Sequence, residues 1–529
     1  KLELLHNPGS EPLRAVTIGN LFEETVNKFG DTEALVSIAQ NRRLTFHQAK
    51  TKVDQLAAGL ISLGLKPGDR VGLLEPNTEE WYISFLAGAK AGVIVMNLNP
   101  ANLPREIAHC LQLTGARALI VRDTFLTQNY YDSLVSIMPE LERAPTGSPV
   151  QVKDFPEFSY LIMNTDQTLP GTFRLQDIYS LANKESTNKL NELAKAIQPD
   201  DACNIQFTSG TTGLPKAAAL THFGSLNNAY FIGKRFTYDR KRPTICCSVP
   251  FFHTYGTTAV VLTGLYFGAT CVLPSPIFSL DCRCTALYGT PTMHLDICAL
   301  SFNQIVCVCF FNSILTLSEF SQSIYGMTET SPSSFQSRST DTEDQRKYSV
   351  GFVQDHVEVK IVDGAGKMVP FGSPGELWCR GYVKMLGYYN QDSKTAEMIG
   401  KDCWIKLDEA ILSEDGYAQI VGRIKDLIIR GGENISPKEV EDLLQAHPDI
   451  YEAQVFGVAD ERLGEVVGAA LILRPGKSIT VDEIKRFISH FKIPKYVQFL
   501  TEFPKTGSGK IKKHILKAAM EKAIQAGDL

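Results

Sequence analysis

An α/β fold is expected: a large N-terminal domain of parallel α/β sheets, a barrel-like β subdomain and a small α+β C-terminal domain. Three observations predict it. Strand-like and helix-like segments alternate from Arg70 to Val121. From Val350 to Gly387 the pattern turns to short strands separated by glycines. After Arg423 a run of about a hundred residues carries enough apolar faces for a core of its own, within the usual size of a domain.

Taken in order, Arg70-Val-Gly-Leu-Leu74 is a short apolar run that reads as a strand, and Glu79 to Ala91 reads as a helix. Val93-Ile-Val-Met96, a helix after Pro104, and Arg117-Ala-Leu-Ile-Val121 continue the alternation, which argues for a parallel sheet covered on both faces. Pro139 to Pro199 is polar, contains prolines and has weak periodicity, so surface connections are expected there. His356 to Val362 alternates and is followed by the Gly364-Ala-Gly366 turn, and Gly375 to Gly381 is a further strand with glycine boundaries. In the last segment, helices are expected from Pro437 to Ala446, Val481 to Phe491 and Lys512 to Ala526, and strands near Ala453–Val458 and Ala469–Leu473.

A chain of 529 residues is too long for one ordinary core and implies two to four domains or subdomains. With 44% hydrophobic and 21% charged residues, the composition is that of a soluble globular protein. A net charge of −5 and a pI near 6.1 give no footprint for nucleic acid. No apolar run reaches the length of a transmembrane segment. The chain begins at Lys1, as expected of a processed product such as one that has lost an organelle-targeting segment. Of 12 cysteines, eight lie between Cys246 and Cys309, with His253 and His294 among them. Their C-x-C pairs lack structural-zinc spacing, so buried thiols in a reducing compartment are expected ahead of a metal site.

The most informative stretch is Thr208-Ser-Gly-Thr-Thr-Gly-Leu-Pro-Lys216, which follows the strand-like run Cys203 to Phe207. Glycines let backbone N–H groups approach an anion closely, hydroxyls add donors and Lys216 adds charge. This is the chemistry of a loop that wraps polyphosphate. The Walker A order is absent, and a plain Ser/Thr/Gly surface turn is the competing reading.

The nonapeptide resembles the phosphate loop of the adenylate-forming superfamily of acyl-CoA synthetases, luciferases and peptide-synthetase adenylation domains. Further matches follow in that superfamily's order: Tyr325-Gly-Met-Thr-Glu329, Trp404 to Asp408, Gly422-Arg-Ile-Lys-Asp426, Gly431-Gly-Glu-Asn434 and Gly507-Ser-Gly-Lys510. Together they span most of the chain. Tyr288 to Met293, Ile428 to Ile435 and Ser489 to Tyr496 resemble more closely the mitochondrial medium-chain type called acyl-CoA synthetase family member two.

The resemblance implies an N-terminal adenylate-forming domain over residues 1–424, with the phosphate loop at 208–216 and the β subdomain at about 350–424. A mobile C-terminal domain would cover 425–529 and turn about a hinge at Lys425. It implies an ATP-dependent fatty acid–CoA ligase that forms acyl-AMP, with medium-chain fatty acid and coenzyme A as substrates, Mg²⁺ as metal and the mitochondrial matrix as location. Thr208, Ser209, Gly210, Thr211, Thr212, Gly213 and Lys216 would hold the β- and γ-phosphates. Glu329 would hold Mg²⁺, Thr328 would face phosphate, and Tyr325 and Gly326 would line the nucleotide. Asp408 would bind the ribose hydroxyls, since a carboxylate accepts two hydrogen bonds from a cis-diol. Arg423 would approach the nucleotide, and Lys510 would bring a long-reaching ammonium to the carboxylate and α-phosphate. His253, Gly431 and Gly432 would border the acyl and CoA route, with a purely structural His253 as the alternative.

Two departures stand against the family pattern. Relatives carry Thr-Gly before the ribose aspartate, and this chain has Lys406-Leu407. Leucine enters positive φ less freely than glycine, so the turn presenting Asp408 is expected to be strained or displaced. Between Thr292 and Tyr325 the family's Gly-Gly-Ala-Pro-like adenine turn is absent, and Phe302 to Leu315 is an apolar, cysteine-bearing run. That run reads either as a buried strand or as the product of aberrant splicing or of a gene-model error. Two other functions stay open: a non-catalytic nucleotide- or partner-binding relative, which the departures support, and an adenylating enzyme that does not use CoA.

Overall fold

The helix expected over Glu79 to Ala91 forms over those residues in the computed structural model. Thr78 caps it by accepting from the Trp81 amide, and Gly92 closes it in the left-handed region at φ 78. Nearly all of its side chains are buried, including Trp81 and Phe85, whose rings stack. A helix apolar all round must be covered on both sides. The structure describes residues 4–208, 214–275, 286–288, 322–400, 402–422, 428–431, 433–435, 437–488, 492–504, 511 and 513–529.

That helix packs on an eight-stranded sheet. Its strand order is Thr172–Arg174, Tyr160–Asn164, Ala118–Arg122, Arg70–Leu74, Ile94–Asn97, Ala202–Thr208, Lys216–Thr221 and Gly387–Tyr388. The first six strands run parallel, and the last two are antiparallel to their neighbours. A second sheet has the order Ala286–Tyr288, Thr244–Cys247, Thr270–Leu273, Glu33–Ser37 and Arg42–Thr45, parallel but for its last pair. Residues of both sheets join one large apolar cluster around Leu35, Val71, Trp81, Ile245 and Phe251.

The segment from Pro139 to Pro199 corrects the expectation of surface connections. It holds the Tyr160–Asn164 and Thr172–Arg174 strands at the edge of the large sheet and the helices Leu175–Ser180 and Lys184–Ala196. Leu161, Ile162 and Met163 are fully buried, so the strand is held by tertiary burial within a polar stretch.

The barrel-like subdomain is a wholly antiparallel five-stranded sheet: Leu4–Asn7, Val357–Val362, Pro374–Gly381, Ile405–Leu412 and Ala418–Gly422. The chain's N-terminal strand closes one edge, a long-range pairing that no local pattern announces. After Ile428 a separate sheet forms from Glu433–Ile435, Ile428–Arg430, Gly464–Leu473, Ile450–Asp460 and Tyr496–Phe499. The helices Pro437–Gln445, Val481–Phe487 and Lys513–Ala526 accompany it, and two apolar clusters of its own fill the lobe.

Among the described residues, Cys110, Cys203, Cys246, Cys247, Cys271 and Cys379 are buried, and Cys403 is exposed. Burial raises the Cys203 and Cys379 thiols to about 12, which keeps them protonated and unreactive. Among the described residues no group of three His, Cys, Asp or Glu side chains is gathered to hold a metal, and no helix is long and apolar enough to cross a membrane. The atypical run from Phe302 to Leu315 lies outside the described residues.

Candidate active site

The two ends of the glycine-rich segment are brought together by strand pairing. Thr208 ends one strand, Lys216 begins the next, and they are direct partners in the antiparallel register. Ser209, Gly210, Thr211, Thr212 and Gly213 lie outside the described residues. Lys216 is buried, and its ammonium lies 4.9 Å from the centre of the Tyr388 ring. Behind the segment, the His109 ring and the Pro215 carbonyl are 3.0 Å apart.

Tyr325-Gly-Met-Thr-Glu329 forms a locked corner. Tyr325 pairs with Phe335 in a short antiparallel sheet, and Thr328–Thr330 is a single 3₁₀ turn. The Thr330 hydroxyl accepts from the Met327 amide at 2.9 Å. A Cβ on Gly326 would meet the Pro332 carbonyl oxygen at 1.9 Å, so only glycine fits there. Thr328 and Glu329 are both buried. The Glu329 carboxylate accepts from the Tyr388 hydroxyl at 2.5 Å, and the Glu329 carbonyl accepts from the Met385 amide at 3.0 Å. Burial, and then the nearby Glu329 charge, drives the Tyr388 phenol far above its usual range, so it stays a donor.

The strain expected at Leu407 is not found. Leu407 lies in the Ile405–Leu412 strand, is 5% exposed, and belongs to the core of the β subdomain. It is not among the residues at positive φ. Glu376 pairs with Glu409 and Trp378 with Lys406, so Leu407 and Asp408 together face Leu377. This β-bulge re-aims Asp408 without any glycine. Asp408 then accepts from the Tyr325 hydroxyl at 2.9 Å. Burial, with the Asp408 charge next, raises the Tyr325 phenol well above its usual range.

His253 stands on the loop between the Thr244–Cys247 strand and a π-helix over Tyr255–Leu262. Asn77 clamps that loop: its amide group donates to the Val249 carbonyl at 2.9 Å, and its oxygen accepts from the Phe251 amide at 2.7 Å. A Cβ on Gly256 would meet the Pro250 carbonyl at 2.1 Å, so the π-helix can pack directly against the loop. The Thr257 hydroxyl donates to the Phe251 carbonyl and accepts from the Gln206 amide, which ties the loop to the strand leading to Thr208. Surrounding protein lowers the His253 imidazole by desolvation, while its ring keeps contact with solvent. It is therefore neutral near pH 7.

Tyr388 links Lys216 and Glu329, Tyr325 links to Asp408, and the Tyr325–Glu329 corner connects the two groups along the chain. Gly431 lies in the C-terminal lobe at φ 59 and donates its amide to Leu463 of that lobe. Arg423, Lys425, Gly432 and Lys510 lie outside the described residues. Sequence reasoning missed Tyr388 and Asn77. The pair Gly387-Tyr388 gave no local signal, because its partner Glu329 is 59 residues away.

The model of the AMP-binding enzyme family matches residues 22–389, and that of the AMP-binding enzyme C-terminal domain matches residues 439–510. The chain is 39% identical to the mitochondrial medium-chain acyl-CoA ligase ACSF2 of Danio rerio, covering 98% of this chain and 91% of that protein. It is also 39% identical to the human protein of the same name, over 97% and 89% of the two chains. A putative acyl-CoA synthetase of Bacillus subtilis, YngI, is 35% identical over 97% and 98%. Among solved structures, the anthranilate CoA ligase AuaEII with anthranoyl-AMP shares the fold at a TM-score of 0.64 and 24% identity, over 97% and 99% of the chains. The amide bond synthetase McbA of Marinactinospora thermotolerans does so at 0.76 and 20% identity, over 94% and 99%. With both domain models matched in order and relatives aligned over nearly its whole length, the chain belongs to the AMP-binding enzyme family.

Proposed function

We propose that this protein is an ATP-dependent fatty acid–CoA ligase that works through an acyl-AMP intermediate on medium-chain fatty acids in mitochondria. The observation that carries the reading is that the Tyr325–Glu329 corner carries both ends of the site: Glu329 is tied through Tyr388 to Lys216, the strand partner of Thr208, and Tyr325 is hydrogen-bonded to Asp408. The 39% identity to medium-chain acyl-CoA ligases supports the substrate class.

In the first half-reaction a fatty carboxylate oxygen attacks the α-phosphorus of ATP, the bond to the β-phosphate oxygen breaks, and pyrophosphate leaves. Both reactants are anions, so the site must supply positive charge and alignment. Lys216 supplies fixed charge beside the loop, and the bulge-aimed Asp408 holds the ribose so that the α-phosphorus stays in place. Mg²⁺ fits here, because the buried Glu329 carboxylate and Thr328 hydroxyl are the hard oxygen donors it takes alongside phosphate oxygens. When bound, the metal neutralises charge on the departing pyrophosphate. Lys510 brings the last ammonium to the reacting oxygens, and Arg423 approaches the nucleotide.

In the second half-reaction the CoA thiol sulfur attacks the acyl carbon, its proton is lost, and AMP leaves with the former bridging oxygen. Turning of the C-terminal lobe about Lys425 withdraws Lys510 and brings Gly431 and Gly432 to the thiol route, with His253 as its wall. The test is product analysis by mass spectrometry with a panel of fatty acids of graded length, ATP and CoA. Acyl-CoA and AMP, formed best from medium-chain acids, support the reading. Acyl-AMP that never passes to CoA, or no turnover of ATP, contradicts it.

A further inference from the structure

The two halves of the phosphate end are joined through one short segment, Met385 to Tyr389. The Leu386 and Tyr389 amides donate to the Ala219 and Ala217 carbonyls, on the strand that begins with Lys216. The Met385 amide donates to the Glu329 carbonyl. Tyr388 sits at the centre, 4% exposed, paired with Ala218. Its own amide donates to the Thr395 hydroxyl at 2.8 Å, which fixes the residue to the following helix. Its ring faces the Lys216 ammonium at 4.9 Å, and its hydroxyl donates to Glu329 Oε1 at 2.5 Å.

A carboxylate free to rotate offers a metal either oxygen in many poses, and ordering it at the moment of binding has an entropic cost. Fixing one oxygen to a buried phenol leaves the other with a defined direction, as outer hydrogen bonds do for metal-binding carboxylates generally. We propose that Tyr388 is the positioning residue of the phosphate end: its hydroxyl presets the Glu329 carboxylate for the nucleotide's divalent cation, and its ring presets Lys216 for the phosphates. This rests on the reading of the constellation as an ATP site. It assigns Tyr388 two separable actions, one through the hydroxyl and one through the ring.

The separation makes it testable on the full-length protein without turnover. Mn²⁺ binding is followed by its electron paramagnetic resonance signal in the presence of α,β-methylene-ATP, and analogue binding without metal by titration calorimetry. Tyr388→Phe keeps the ring and should weaken Mn²⁺ binding about tenfold, with metal-free analogue binding unchanged. Tyr388→Leu removes both actions and should weaken the analogue as well. In a Glu329→Gln background, Tyr388→Phe should add nothing further to the loss of Mn²⁺. Parent-like Mn²⁺ affinity in Tyr388→Phe, or a full additional loss in the Glu329→Gln background, overturns the inference and leaves the ATP-site reading standing. A parent protein that binds no analogue overturns both.

Discussion

The Tyr325 hydroxyl donates a 2.9 Å hydrogen bond to Asp408 Oδ2, joining residues 83 positions apart. One oxygen of the carboxylate is thereby held, and the group is oriented before any ligand arrives. Tyr325→Phe should raise the dissociation constant for ATP about ten- to a hundredfold, the worth of one hydrogen bond to a charged group. Fatty-acid binding should be unaffected. Titration calorimetry with ATP and, separately, with a fatty acid checks the split.

Because Leu407 is a core residue of an extended strand, installing the family's Thr-Gly pair should harm the protein. Lys406→Thr with Leu407→Gly deletes a buried side chain and loosens the strand, at about 2–5 kcal/mol. Urea unfolding should show that loss, and ATP binding should not tighten. Tighter binding at unchanged stability would mean that the bulge does not aim Asp408.

A buried ion triad links the lobes. Lys492 bonds both Glu106, on the Pro104–Thr114 helix, and Glu439, on the Pro437–Gln445 helix, and all three are at most 4% exposed. Replacing the lysine leaves two buried carboxylates facing each other, a loss of about 3–5 kcal/mol for such a pair. The lobes can part to relieve it. Lys492→Met should therefore speed hydrogen exchange in both helices while the 79–91 helix stays protected. Unchanged exchange in both would show that the triad does not hold the lobes together.

Two buried groups give stability pH slopes of opposite sign. His222 is 1% exposed, accepts from the Ile18 amide, and is driven down to about 4 by desolvation. The unfolded chain protonates near pH 6.5, so this stability is complete above that value and is lost as pH falls towards 4, in all about 3 kcal/mol. His222→Asn keeps an acceptor and should remove the loss between about pH 6.5 and 4. Glu75 is fully buried and is raised by desolvation to about 8. The unfolded carboxyl ionises first, so stability present below about pH 4.5 is lost as pH rises through 8. Glu75→Gln should remove the loss between about pH 4.5 and 8, and melting temperatures across the pH range check both.

Much of this organisation is legible in the sequence because it is local. The 79–91 helix shows its cap, its acidic first turn and its closing glycine within a few residues. The loop glycines and the Tyr325–Glu329 corner are likewise contiguous. What could not be read depends on a distant partner. Asp408 is aimed by a bulge whose count is set by Leu377 on the neighbouring strand, so the substitution of Leu407 for glycine misleads when read alone. The Tyr388 hydroxyl gains its meaning from Glu329, and Asn77 from a loop 172 residues on. The strand at Tyr160–Asn164 carried a short apolar run, but its polar surroundings hid it, and only its place in the sheet explains its burial.

The central claim is activation of a fatty acid as its adenylate, and fatty-acid-dependent exchange of labelled pyrophosphate into ATP tests it most directly, with CoA left out. The account predicts exchange that needs a medium-chain fatty acid, is abolished in Asp408→Ala and in Lys510→Ala, and leaves the Lys510→Ala protein able to convert supplied acyl-AMP and CoA to thioester. Exchange without fatty acid, or none in the parent protein while it binds ATP, would contradict it.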